Sequence, residues 1–281
     1  MSSLPLVSTA APGRFVPVAA SARSMLILER LSAVPKLAGV TPASRLEVRP
    51  SPQMVSSGIR ELDALTGGLP RGCLTEICGP ASSGRTSILL ATLSAATQRQ
   101  EICALVDISD AFNPHSAAAA GVNFERMLWV RCGHLQKSGS PQRHRVTENK
   151  IEKPVEQALR VTDLLLQSGG FGMVIIDLGD TPLKMARRIP LTSWFRFQRA
   201  VEHTATVLFV ISQVPCARTC ASLLLKVSGK KLSTVSSQLS AETPTHAQFL
   251  DGLQVQGELL RSRLERKPAG SVTAAFATKV G

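Results

Sequence analysis

The stretch Gly79-Pro80-Ala81-Ser82-Ser83-Gly84-Arg85-Thr86-Ser87 has the frame of a phosphate-binding loop, G-x-x-x-x-G-K-[ST], with arginine where lysine is expected. A turn of this kind, set between a strand and a helix, leaves several backbone N–H groups free and aims the positive end of the helix at one point, so anions bind there. The order of segments is right: the short apolar run "LTEICG" precedes the loop, and "RTSILLATLSAATQ" follows it with Ile88, Leu89 and Leu93 facing inward. A Gly- and Ser-containing turn with no ligand is the competing reading. Arginine is bulkier and planar where lysine is a compact point charge, so binding should survive this change better than catalysis. Thr86 keeps a hydroxyl for Mg²⁺, and Asp177, closing the apolar run "MVIID", is the carboxylate expected beside that metal. The nucleotide reading depends on residues 79–87 folding as such a turn. It is undone if the guanidinium of Arg85 fills the pocket.

The elements needed to position these residues follow from the pattern around them. "ICALVDI", "MLWVRC", "FGMVIIDL" and "TVLFVISQ" read as buried strands, and "VEQALRVTDLLLQS" and "LTSWFRFQRAVEHT" as helices between them. Strands alternating with helices of this length imply parallel crossovers and an open α/β sheet covered on both faces. After "CASLLLKV", the segments "LQVQGELLRSRL" and "SVTAAFAT" read as antiparallel additions at one edge. Upstream, residues 1–22 are Ser-, Ala- and Pro-rich without period and read as a disordered tail; an organelle transit peptide is the other reading of that composition. Residues 23–53 read as an amphipathic helix, with Met25, Leu26, Leu28 and Leu31 on one stripe, and a linker; residues 54–281 read as the core domain. The polar segment 135–152 reads as an exposed loop.

Composition bounds the partners. The chain of 281 residues carries 32 Lys and Arg against 20 Asp and Glu, a net charge of +12, which favours a polyanionic partner. Nine Phe, two Trp and no Tyr supply a stacking platform for bases poorly, so backbone contact is the expected mode. The six cysteines sit mostly in apolar runs and suit a reducing, cytoplasmic compartment; Cys216 and Cys220 lack the further ligands of a zinc site. No run of 18 apolar residues is present to span a membrane.

"SSGIRELDALTGGLPRGCLTEICGPASSGRTS" followed by "CALVDISDAFNP" resembles the core of bacterial RecA recombinases, and the resemblance extends through "AAAAGVNFERMLWVRC", "MVIID" and "LFVISQ", about residues 54–228. It implies a RecA-like P-loop core with a mostly parallel central sheet, helices on both faces and antiparallel edge strands, with ATP and Mg²⁺ as cofactors. Nucleotide contacts then fall on Gly79 to Ser87 and on Asn113, and the metal on Thr86 and Asp177. "ELLRSRLERKP" is similar to the segment whose two basic residues reach nucleotide on a neighbouring subunit, which places Arg261 and Arg263 there and implies a homo-oligomer; ordinary charges on an edge strand are the alternative. Gln213 matches the glutamine that senses the terminal phosphate, or is simply a polar strand cap.

The departures bear on chemistry. The family's catalytic glutamate aligns with Ser109, whose hydroxyl cannot take a proton as a carboxylate does, and the neighbouring Asp110 should point the wrong way on an extended chain. The adenine-stacking tyrosine aligns with Ser116. Both DNA-binding loops are short. On the first, Lys184, Arg187 and Arg188 could contact phosphates, as could Gln142, Arg143, His144, Arg145 and Lys150 on the polar insertion; a solvated face is the alternative for each.

The combination most resembles ImuA-type accessory proteins. That likeness implies a role in DNA repair and SOS mutagenesis beside RecA, an error-prone polymerase and a polymerase-like accessory, with single-stranded DNA as a further partner. Weak or no ATP hydrolysis is expected. An active DNA-dependent ATPase, with Arg85 serving for lysine and Asp110 for the missing carboxylate, is the alternative, and a regulator that binds ATP without cleaving it is a third.

Overall fold

The computed structural model of the protein describes residues 22–34, 51–132, 149–231, 252–264 and 273–279. It divides into two units, residues 1–50 and 51–281. In the first, α1 spans Ala22–Ser32, and Met25, Leu26 and Ile27 on it are exposed.

The second unit begins with β1 (Met54–Val55), α2 (Arg60–Thr66) and β2 (Leu69–Pro70), a small hairpin-like entry in which β1 and β2 pair antiparallel. The sequence pattern did not reveal these elements, because each is shorter than the window over which periodicity shows. The signal for α2 is its end: Gly67 takes φ 79°, a left-handed position that glycine adopts without strain, and its N–H caps Asp63 O. Then come β3 (Cys73–Cys78), α3 (Arg85–Gln98), β4 (Cys103–Asp107), α4 (Pro114–Ala119) and β5 (Met127–Arg131). They are followed by α5 (Asn149–Ser168), β6 (Met173–Asp177), α6 (Leu183–Arg188), α7 (Leu191–Val201) and β7 (Val207–Ser212). Three long strands close the unit: β8 (Leu223–Lys231), β9 (Gly252–Ser262) and β10 (Thr273–Lys279).

Eight of the strands form one sheet in the order β10-β9-β8-β3-β7-β6-β4-β5. From β8 to β5 all neighbours run parallel, whereas β9 and β10 add antiparallel at one edge, as the sequence predicts. The central strands are buried on both faces, which is why they read as unbroken apolar runs. On one face Ile77, Leu105, Ile175 and Phe209 meet Ile88, Leu89 and Leu93 of α3; on the other Leu74, Val106, Ile176 and Val210 meet Val155 and Leu165 of α5 and Trp194 and Phe197 of α7. The fold is α/β with a mostly parallel central sheet, antiparallel edge strands and helices on both faces.

Two boundaries differ from expectation. Residues 183–188, read as a shortened loop, form the helix α6 between Pro182 and Pro190. Residues 149–152, read as the end of an exposed loop, belong to α5, which continues back through Pro154; a proline is usually a helix start, and the reading stopped there. The rest of that insertion, with Gln142, Arg143, His144 and Arg145, lies outside the described residues.

Candidate nucleotide site

Parallel sheets gather their loops at the carboxyl ends of the strands, and the loop of interest leaves the end of β3 near the middle of the sheet. Residues 79–84 turn the chain from β3 into α3, with Ser82 at φ 57° and Gly84, the N-cap, at φ 90°. Alternating backbone hand of this sort makes a concavity of N–H groups. The amides of Ser82, Ser83 and Gly84 donate to no backbone carbonyl among the described residues. Ser83 is 1% exposed, and its Oγ has no partner. Both glycines of the frame are also fixed by packing: a Cβ at Gly79 would collide with the Val227 carbonyl of β8, and one at Gly84 with the Val255 side chain of β9. The edge strands thus press directly on the loop.

Arg85 opens α3 and turns inward, only 8% exposed, and its Nη1 donates to the Gly179 carbonyl at 3.0 Å. Gly179 follows β6, and its N–H donates back to Asp177 Oδ1 at 2.7 Å. Burial raises the Asp177 carboxyl to about 6, helped by the nearby Asp107 and Asp180; the Gly179 N–H and the Arg85 charge pull the other way. A cavity of about 110 Å³ remains, lined by Arg85 and Thr86 of the loop and by Asn113, Ser116, Asp177, Gly179 and Asp180 among others. That is well below the ~300–1,000 Å³ of a pocket that encloses a small-molecule ligand. Mg²⁺ requires octahedral oxygen ligands, yet the guanidinium enters the cavity that Thr86 and Asp177 line. Among the described residues no group of three or more His, Cys, Asp or Glu side chains is placed to hold a metal ion. As arranged, these residues do not fit a magnesium nucleotide.

Asn113 lines the cavity, and its side chain caps α4 by accepting the N–H groups of His115 and Ser116, at 2.9 and 3.1 Å. The Asn-Pro pair ahead of an alanine run is the helix-start signal for α4, which is too short to show a period. Asp110 is not among the cavity residues. It sits at φ 56° and forms a two-point ion pair with Arg131, at 2.6 and 2.7 Å, while the Arg131 guanidinium stacks on Trp129 at 4.9 Å from the ring centroid. Gln213 donates to the Thr181 carbonyl at 3.3 Å and does not line the cavity. Arg261 reaches the Arg218 carbonyl and lies level with Glu76 in the middle of β3, and Arg263 bonds through its N–H to Ser222 O, nearer the start of β3; neither lines the cavity. Lys184, Arg187 and Arg188 are exposed on α6. Gly179 and Asp180, which line the cavity, and Asp107, whose charge acts on Asp177, were not legible in the sequence: only the fold brings the ends of β4 and β6 together beside α3.

A model of the RecA N-terminal domain matches residues 31–136 of this chain. Proteins named RecA from Kineococcus radiotolerans, Deinococcus radiodurans and Rickettsia canadensis are each 28% identical to it, over 204, 218 and 208 residues. Over these stretches the chain is similar to the RecA recombinases. These matches cover 66%, 70% and 67% of the chain but 52%, 54% and 54% of the relatives, so the chain spans about half the length of the RecA proteins it matches. Among the described residues no helix is long and apolar enough to cross a membrane.

Proposed function

We propose that this RecA-like chain is an accessory protein of DNA repair and SOS mutagenesis, a scaffold that binds single-stranded DNA or RecA and recruits translesion polymerase partners without turning over ATP. The observation that carries this is the fate of Asp110, the carboxylate next in sequence to Ser109. Hydrolysis needs a base within hydrogen-bond reach of the attacking water. Ser109 stands at the family position, and both oxygens of Asp110 are held by Arg131, outside the cavity. The retained fold beside the redirected acid supports binding over catalysis, and the resemblance to ImuA-type proteins supplies the partners. Self-association through Arg261 and Arg263 belongs to the same reading.

The test is phosphate release with single-stranded DNA, run beside pull-downs on RecA and the polymerase partners. We expect no DNA-stimulated turnover and retained partner binding. Turnover abolished by Arg85→Ala would establish the active DNA-dependent ATPase instead, and absence of any affinity for DNA, RecA or polymerase would remove the scaffold.

A further inference from the structure

A phosphate loop and its metal form two halves of one anion site: backbone amides hold the phosphate from one side, and a cation neutralises it from the other. In this chain the first half is intact. Ser82 and Gly84 take positive φ, the amides of residues 82–84 donate to no backbone carbonyl among the described residues, and the buried Ser83 Oγ has no partner. The second half is occupied from within. A Cβ at Gly179 would lie 2.9 Å from Asp177 Oδ1 and 3.5 Å from Arg85 Nη1, so carboxylate and guanidinium face the same point. Arg85 Nη1 donates to the Gly179 carbonyl, which holds the cationic head at this point.

We infer that Arg85 is the resident cation of this site, replacing the divalent metal opposite Asp177, so that the loop takes a phosphate group free of metal and Mg²⁺ is shut out. The inference rests on the reading of residues 79–87 as a vestigial phosphate cradle. A dication approaching Asp177 meets a fixed positive charge at close range, and Thr86 has no metal to hold. The ligand class is an unchelated phosphate, whether free or at the end of a polyphosphate chain, met where Arg85 and Thr86 of the loop face Asn113 and Ser116 across a cavity of about 110 Å³, too small to enclose a whole nucleotide.

The full chain is titrated by calorimetry with inorganic phosphate, sodium triphosphate and ATP, each in EDTA and in excess Mg²⁺, and Mn²⁺ binding is followed by electron paramagnetic resonance. Triphosphate should bind the wild type no more tightly with Mg²⁺ than with EDTA, and Mn²⁺ should stay free; ATP no tighter than triphosphate marks the phosphate chain as the recognised part. Arg85→Lys should make binding metal-dependent by about tenfold or more and yield protein-bound Mn²⁺. Wild-type affinity rising about tenfold with Mg²⁺, bound Mn²⁺ in the wild type, no binding of any of the three anions, or a folded Arg85→Lys with no bound Mn²⁺ would each overturn the inference. The wild-type arms decide even if the variant misfolds. Metal-dependent binding without ATP turnover defeats this inference alone, whereas DNA-stimulated turnover defeats the scaffold reading.

Discussion

Glu76 sits in the middle of β3, fully buried, where a carboxylate without partners would be strongly disfavoured. Its Oε1 accepts the Cys216 N–H at 2.6 Å and the Ser212 hydroxyl at 3.1 Å, and its Oε2 accepts the Ala217 N–H at 3.2 Å. These bonds pin the turn that follows β7, and with it Gln213, to the strand that feeds the phosphate loop. Hydrogen bonds to an ionised acceptor are the stronger kind, and replacing one oxygen by NH₂ sets a donor against a backbone donor. Glu76→Gln should therefore lower the unfolding free energy in urea by about 2 kcal/mol. A change under about 0.5 kcal/mol would mean that water already serves those amides. The acid was visible in "CLTEIC", but its role was not, since its partners lie about 140 positions on and only the pairing of β3 with β7 brings them near. Arg85 teaches the same lesson: its presence in the loop is plain in the sequence, while the Gly179 carbonyl that receives it depends on the fold.

Among elements, legibility followed length and burial. The parallel strands and α3, α5 and α7 were readable because each is long enough to show its period or its unbroken apolar run. The six-residue α6 was not, since "LKMARR" completes barely two turns between two prolines. Its helical form changes the geometry of the basic residues. Lys184, Arg187 and Arg188 stand at i, i+3 and i+4, on one helical face, where as a loop their directions would have been unrelated. A convergent basic face of this kind meets a phosphate backbone as a unit. If it contacts single-stranded DNA, each lost contact should reduce the slope of log affinity against log salt by about 0.7. Replacing all three by alanine should then flatten the slope by about 2, with little change in preference among sequences. Fluorescence-anisotropy titrations at several salt concentrations measure this, and an unchanged slope would locate DNA contact elsewhere or nowhere.

At the scale of the whole unit from 51 to 281, one sheet separates two apolar cores that share every central strand. Successive residues of β6 and β7 alternate between those cores, so neither face can loosen without exposing the other. The loop at the carboxyl end of β3 depends on this coupling, because the edge strands β8 and β9 that press on Gly79 and Gly84 join the sheet only through β3. The chain reports on each core separately, having two tryptophans and no tyrosine. Trp129 packs on the α3 side, edge-on to Phe112 at 5.1 Å, and Trp194 is wholly buried on the α7 side, edge-on to Phe197 at 6.0 Å. Trp129→Phe leaves one probe, and Trp194→Phe leaves the other. Because the strands are common to both cores, the two variants should show a single urea transition whose fluorescence midpoint matches that from far-ultraviolet circular dichroism in the same variant. Trp129 emission changing well before the circular dichroism would instead show that the α3 side, with the phosphate loop, opens ahead of the sheet that carries it.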